Sequence, residues 1–388
     1  LLNDPADIKH VLVDAASRYE KTSKLTSPRG RALSGEGLHT ATGADHLLLR
    51  RMAQPLFHRQ IIAGHIALVE AATDRAVASW HGQRSIDAWQ EMLTLSQQVM
   101  LAALFGPHFA DPGGRFAAAV SVRRAYIEHF FTSLLPGPEH WPLPIVWRYR
   151  AARRVMHEVI DSEIARRRHH GPDGDDWLSM LMGSTGRDGM LLTDRQVRDE
   201  AMTLTSTGYE TVASALAWSC HLLARHPAVQ DAVRAEALTA RDGETPLRTR
   251  VLNEVMRLYP PTWLFIREPQ VADQLPSGVT MRPGDKLYLC PYTMHRHPQW
   301  WRDPDRFDPD RFADEAVRTR PRFAYFPFGG GARQCLGEPF ARMEVLMILG
   351  ALLRQFRLHP RERGAVRVRA GIVLEPRHGL RVGLEPLV

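Results

Sequence analysis

The sequence predicts a mainly α-helical fold with a small β region. Helical periodicity recurs from residue 60 to residue 259, with apolar positions three and four apart. Beyond Pro260-Pro261 the texture changes to short β-like runs divided by turn signals. No linker, repeat or low-complexity stretch divides the chain, so residues 1–388 read as a single domain.

The elements follow in order. Residues 60–80, 88–105, 114–134 and 147–168 read as amphipathic helices. GPDGDD at 171–176 is a break. A long helix is predicted over 194–224, with Thr193 as N-cap and Asp194 in its first turn. Another covers 247–259 and stops at the two prolines. Residues 263–290 carry the β-like runs, with turns at PSG and RPGD. Residues 297–335, rich in Pro, Asp and Gly, read as ordered coil. A last helix spans 338–356, and the tail 357–388 alternates like a short sheet.

Composition narrows the class. The three cysteines, Cys220, Cys290 and Cys335, are too few for a disulfide framework, which suggests a reducing cytoplasm. The longest apolar run, VLMILGALL at 345–353, falls well short of the roughly 18–20 residues of a membrane span. No signal peptide is visible. The net charge is +7, carried mostly by arginine, with clusters WRYRAARR (147–154) and RRRHH (166–170). These read as solvated helix faces. The aromatic residues are not set among them as a base-stacking platform requires, so nucleic acid is not an expected partner.

One loop stands out: FGGGARQCLG, Phe328 to Gly337. Gly329, Gly330 and Gly331 permit close backbone approach and positive φ. The last helix follows, with Pro339 in its first turn. Cys335 therefore lies just before a helix N-terminus, where free N–H groups and the dipole favour thiolate, and Arg333 adds positive charge. Such a thiolate is a nucleophile or a metal ligand. Nucleophilic catalysis calls for a base such as histidine, and none lies within twenty residues. Zinc calls for several ligands at short spacings, which Cys220 and Cys290 do not supply. An axial thiolate to haem iron needs one cysteine only.

The pattern F-x-x-G-x-R-x-C-x-G, as Phe328, Gly331, Arg333, Cys335 and Gly337, resembles the haem-binding signature of the cytochrome P-450 superfamily. The resemblance covers nearly the whole chain and lacks only the N-terminal helix and first strand. It implies one catalytic domain, a triangular helical prism. Haem b (iron protoporphyrin IX) would lie between the long distal helix and the helix after the cysteine loop, with Cys335 on the iron. Glu254 and Arg257, at i and i+3, resemble the family's E-x-x-R. FDPDRF (307–312) resembles its P-x-R-F segment and would bring Arg311 to the same carboxylate, completing a structural charge triad. Arg333, Arg267 and the i,i+4 pair His46 and Arg50 match positions that bind the haem propionates, for which the guanidinium fork is suited.

TGYET (207–211) falls inside the predicted long helix. Gly208 there costs about 1 kcal/mol against alanine and is tolerated where something passes close. The hydroxyls of Thr207 and Thr211 can bond a carbonyl one turn back. Glu210 and Thr211 resemble the family's acid–alcohol pair, which relays protons to dioxygen while thiolate donation favours O–O cleavage. Tyr209 and Val212 are bulkier than usual there and would narrow the site.

The resemblance also points to substrate-facing segments. Phe130, Trp263, Leu264, Phe265, Val373 and Leu374 are apolar candidates, and equally candidates for core. As a pocket they favour a terpenoid, polyketide or fatty acyl chain. Phe130 and Phe131 suit a lid. Loop 26–45, with Arg29 and Arg31, suits polar or anionic recognition. The chain is too short for a fused reductase, so an acidic ferredoxin or flavodoxin is the expected electron donor, docking on a basic face that includes Arg333 and Arg342. The expected function is a monooxygenase that hydroxylates or epoxidises a small apolar molecule. Two alternatives stand beside it. A peroxide-driven or isomerising relative often lacks the acid–alcohol pair. A non-catalytic haem binder needs none.

Overall fold

The computed structural model describes residues 1–132, 143–172, 174–186, 189, 191–239, 246–361 and 364–387. The principal helices are α1 (Pro28–Ser34), α2 (Gly43–Ala53), α3 (Ile66–Trp80), α4 (Ala88–Phe105), α5 (Arg115–Thr132) and α6 (Pro144–His170). After them come α7 (Asp194–Thr207), α8 (Glu210–Arg225), α9 (Pro227–Thr239), α10 (Pro246–Leu258) and α11 (Glu338–Gln355). Short strands form small antiparallel sheets. Strand β1 (Tyr19–Lys21) pairs with β3 (Phe265–Pro269), which pairs with β4 (Leu287–Leu289). Strand β2 (Ser85–Asp87) and β5 (Phe356–Pro360) flank β8 (Arg381–Pro386), and β6 (Val368–Ala370) pairs with β7 (Leu374–Pro376).

The chain divides into two compact units. The first comprises Leu1–Thr22, Val69–Ser96 and Thr211–Val388; the second comprises Ser23–Leu68 and Gln97–Glu210. These strands all belong to the first unit. A core there joins Ile8, Leu12, Tyr19, Leu289, Phe323 and Phe326. Each such buried side chain contributes roughly 1.5–3 kcal/mol. In the second unit, Tyr126 of α5 stacks on Tyr149 of α6 at 4.2 Å, and the Tyr149 hydroxyl donates to Leu33 O at 3.0 Å. Leu33, Phe130 and Val146 complete that cluster.

The helical expectations hold in type but shift at their ends. The helix expected over 60–80 is split into a short helix, Arg59–Gly64, and α3. The chain breaks at His65, whose ring bonds Ile61 O at 2.7 Å. Helix α6 starts earlier than expected, at Pro144, and ends at Gly171, which has φ 90°. The last two residues of the expected 114–134 helix, Asp173 of the break, and residues 362, 363 and 388 of the tail lie outside the described residues. Helix α9 follows a histidine-proline step that periodicity alone did not single out.

The largest departure is the long helix expected over 194–224. It starts as expected, with a reciprocal capping box between Thr193 and Gln196. It then stops at Thr207 and resumes at Glu210. The cause is local. Thr203, Ser206 and Thr207 each bond the carbonyl four residues back, at 3.1, 2.5 and 3.0 Å. Thr205 bonds Met202 O at 3.0 Å. This run of hydroxyls competes for the ladder carbonyls, and Gly208 follows where the ladder is weakest.

Within the first unit, one ion cluster ties the N-terminal segment to Asp273. Asp273 bonds Arg18 Nη1 at 2.6 Å, Tyr19 OH at 2.8 Å and His10 Nε2 at 2.9 Å. Burial alone would raise the Asp273 pKa; these partners outweigh it and hold the carboxyl at about 2. A depressed folded pKa means stability that is complete above the unfolded value, about 4, and lost as pH falls toward 2. Asp273→Asn is therefore expected to lower the urea midpoint at neutral pH. The gap from the unsubstituted protein should close as pH is brought below about 4.

Candidate functional site

The first unit holds the cysteine loop. Cys335 is exposed, whereas Cys220 and Cys290 are buried. Its main-chain N–H donates to Phe328 O at 3.0 Å, which closes the loop, and Gly337 is the N-cap of α11. Gly331 has φ 66°, and a Cβ there would lie 1.9 Å from Leu12 O. A Cβ on Gly330 would meet the Phe323 ring at 2.7 Å. These glycines are thus required by close packing against the protein itself, a reason the sequence did not disclose. The Arg342 guanidinium lies over the Phe328 ring at 5.0 Å and donates to Glu338 and Asn253, both at 2.9 Å.

Two guanidiniums stand in the same unit. Arg267 lies on β3, is buried, and donates to Ile266 O at 3.0 Å. Burial, and then the positive charge of Arg333, bring its pKa down to about 10. Arg333 is ion-paired with Glu20. No ion pair joins Arg267 to a carboxylate among the described residues. Two largely buried guanidiniums here suit an anionic group. An exposed thiol ahead of a helix N-terminus and these guanidiniums together fit the thiolate and propionate demands of a haem.

The E-x-x-R residues meet as expected. Arg257 Nε and Nη2 donate to the two Glu254 oxygens at 2.7 and 2.8 Å, and both side chains are 0% exposed. The other three Arg257 donors go to main-chain oxygens: His295 O at 2.9 Å, Pro304 O at 2.6 Å and Arg306 O at 3.0 Å. All five guanidinium N–H groups are therefore used. Asp308 N donates to Glu254 Oε1 at 2.9 Å. Arg311 lies farther off, at 3.6 Å from Glu254, as an ion pair rather than a hydrogen bond. Burial pushes the Glu254 carboxyl up, and the two guanidiniums oppose that shift. His295 was missed in the sequence. It is fully buried, its pKa is held down to about 3 by burial, and its Nε2 accepts the Phe326 N–H at 3.0 Å.

The second unit holds a separate polar cluster. Glu210 is buried, and Arg124 Nε of α5 lies 3.0 Å from its Oε2. Arg124 was not foreseen, because nothing in its local spacing marks it. Burial pushes the Glu210 carboxyl up, while the Arg124 charge opposes that shift. The Tyr209 phenol beside it is also pushed up, by burial and then by the Glu210 charge. Arg123 is buried and donates to Ser206 Oγ and to Ser34 O. The close neighbour of Gly208 is Met100: a Cβ on Gly208 would meet Leu204 O at 2.8 Å and Met100 Cγ at 3.2 Å. His46 and Arg50 share one face of α2, His46 buried and Arg50 half-buried, with Arg51 exposed. Thr211, on the first turn of α8, belongs to the first unit.

Three of the six apolar pocket candidates, Phe130, Val373 and Leu374, are buried, and the other three are half-buried. Phe130 packs with Tyr126, Tyr149 and Leu33. Val373 and Leu374 are each 3% exposed, and Leu374 O accepts from Ser214 Oγ at 2.6 Å and Trp218 Nε1 at 3.0 Å. Phe265 packs against Phe326. Trp263 is half-buried and donates to Gly371 O at 2.8 Å, and Leu264 is half-buried beside it. None of these six lines the 760 Å³ cavity of the second unit.

A family model described as cytochrome P450 matches residues 1–379. The chain is 32% identical to pentalenene oxygenase of Streptomyces avermitilis, over 85% of this chain and 75% of that protein. It is also 32% identical to cyclooctat-9-en-7-ol 5-monooxygenase of Streptomyces melanosporofaciens, over 86% of this chain and 74% of that one. Its fold resembles that of the retinoic acid bound cyanobacterial CYP120A1 with a TM-score of 0.88. That match, at 24% identity, covers 98% of this chain and 87% of the other.

Removing Glu254 leaves a fully buried guanidinium without its counter-ion. Glu254→Ala is expected to lower unfolding free energy by about 3–5 kcal/mol in urea titrations. Arg311→Met, at the longer and unbonded contact, is expected to lower it by less.

Proposed function

The chain belongs to the cytochrome P450 family of monooxygenases, and we propose that it inserts one oxygen atom of O2 into a terpenoid, by hydroxylation or epoxidation. The observation that carries this substrate class is the pair of relatives named for acting on pentalenene and cyclooctat-9-en-7-ol. The reading takes the chain as one catalytic domain in the cytoplasm, without nucleic acid as a partner. No described helix is long and apolar enough to cross a membrane.

The haem, in this reading haem b, supplies the activation of O2 when bound. Cys335 would hold its iron as thiolate, favoured by the N-terminus of α11. Phe328 and Gly337 bound the loop that presents the sulfur. Arg267 and Arg333 take propionate charge, and His46 and Arg50 are assigned the same task. Glu254, Arg257 and Arg311 are structural. Glu210 and Thr211 pass protons toward the reacting oxygen, with Gly208 preceding them at the end of α7. Arg124 is a positioning residue: its guanidinium lies 3.0 Å from Glu210 Oε2 and opposes the upward shift that burial imposes on that carboxyl. Electrons come from a separate redox partner, a ferredoxin or flavodoxin with an acidic face.

The test is product analysis with the haem-loaded protein, a ferredoxin system, isotopically labelled O2 and a panel of cyclic terpenes. A product carrying one labelled oxygen is expected. Glu210→Gln should slow its formation by about 10²-fold while leaving terpene binding intact. Arg124→Met should slow it less. No labelled terpenoid from the panel, with labelled product from fatty acids or polyketides instead, would overturn the substrate class.

A further inference from the structure

Glu338 and Arg342 stand at i and i+4 on α11, with Arg342 Nε 2.9 Å from Glu338 Oε1. The pair is tied at both ends. Gln334, the residue before Cys335, donates its side-chain amide to the other Glu338 oxygen at 3.0 Å. Arg342 Nη1 donates to Asn253 Oδ1 of α10 at 2.9 Å. The Arg342 guanidinium also lies 5.0 Å from the centroid of the Phe328 ring, within cation–π range. Phe328 O in turn accepts the Cys335 N–H at 3.0 Å. An anion and a cation are thus fastened to the two residues that frame Cys335, Gln334 beside it and Phe328 bonded to it.

The two charges act on Cys335 with opposite sign. Glu338 is the first residue of α11, three past Cys335. A carboxylate there suits the helix dipole but repels a thiolate, so it works against the field that favours thiolate at this helix end. Arg342 offsets it. A fully exposed pair would be screened by water and salt and would matter little. Here the arginine and glutamate side chains are 26% and 21% exposed, so screening is partial.

The same charges bear on reduction. One electron delivered to iron held by Cys335 adds negative charge at the group that the loop carries. A nearby cation stabilises the reduced form, and a nearby carboxylate stabilises the oxidised form.

We propose that the Arg342–Glu338 pair sets the reduction potential of the haem that Cys335 carries, Arg342 raising it and Glu338 lowering it. Both are positioning residues, acting through the cysteine loop. The inference rests on the reading of Cys335 as haem ligand. The step it governs takes one electron from the ferredoxin or flavodoxin and converts ferric to ferrous iron.

The experiment is spectroelectrochemical titration of the haem-loaded protein with dithionite and small-molecule mediators, no redox protein being present. Partner docking then has no part in the readout. Arg342→Met is expected to lower the potential, shifting the reduction equilibrium by about tenfold, or about 59 mV for one electron. Glu338→Gln, which keeps the side-chain shape, is expected to raise it by a similar amount. The double variant should return close to the unsubstituted value, and Arg342→Lys should move less than Arg342→Met. A loop that is merely loosened would shift both single variants the same way. Shifts of the same sign in Arg342→Met and Glu338→Gln, or no shift in either, would overturn the proposal. If Arg342→Met does not fold, an unmoved or lowered potential in Glu338→Gln overturns it alone. The carbon monoxide difference spectrum of the unsubstituted protein separates the two readings. Without a red-shifted thiolate band the ligand reading fails and this proposal fails with it; with the band present and the potentials unmoved, only this proposal fails.

Discussion

The first unit depends on one saturated guanidinium. Arg257 spends two donors on Glu254 and three on main-chain oxygens of His295, Pro304 and Arg306. Those oxygens belong to stretches with little regular structure of their own. A coil rich in Pro, Asp and Gly has no ladder to satisfy its carbonyls, and here one buried cation on α10 does so. The effect reaches further through His295, which gives its carbonyl to Arg257 and takes the Phe326 N–H on its ring. Phe326 lies two residues ahead of the Cys335 loop. The loop's geometry thus rests on a buried ion pair.

That dependence explains which parts of the site were legible in sequence. Cys335, Glu254 and Arg257 sit in short, fixed spacings, because each works through local backbone geometry. Arg311 was legible in position, but its 3.6 Å separation from Glu254 was not. Partners distant in sequence were invisible. Glu20 pairs with Arg333 from the other end of the chain, Arg124 meets Glu210 from another helix, and His295 carries no motif. The interruption at Gly208 and Tyr209 was missed for a different reason. Periodicity counts apolar positions, and what ends α7 is hydroxyls competing for carbonyls. Phe130, Val373 and Leu374 are core, since apolar character marks a buried position without saying whether ligand or protein fills the space.

Charge is deployed differently in the two units. Around the cysteine loop, Glu20 pairs with Arg333 and stands near Arg267. In the second unit, Arg124 is committed to a buried glutamate, while Arg31 and Arg153 face a cavity with only neutral acceptors bonded to them. The sequence's net charge of +7 is therefore not one diffuse basic surface. Part of it is spent on buried acids, and part lines a cavity where neutral acceptors bond it.

The central claim is that Cys335 carries a haem iron as thiolate. Its most direct test is the carbon monoxide difference spectrum of the reduced, haem-loaded protein, recorded beside Cys335→Ala. The account predicts a strongly red-shifted Soret band in the unsubstituted protein and its loss in the variant. A band at the position of a neutral axial ligand, or the same red-shifted band in both proteins, would contradict it.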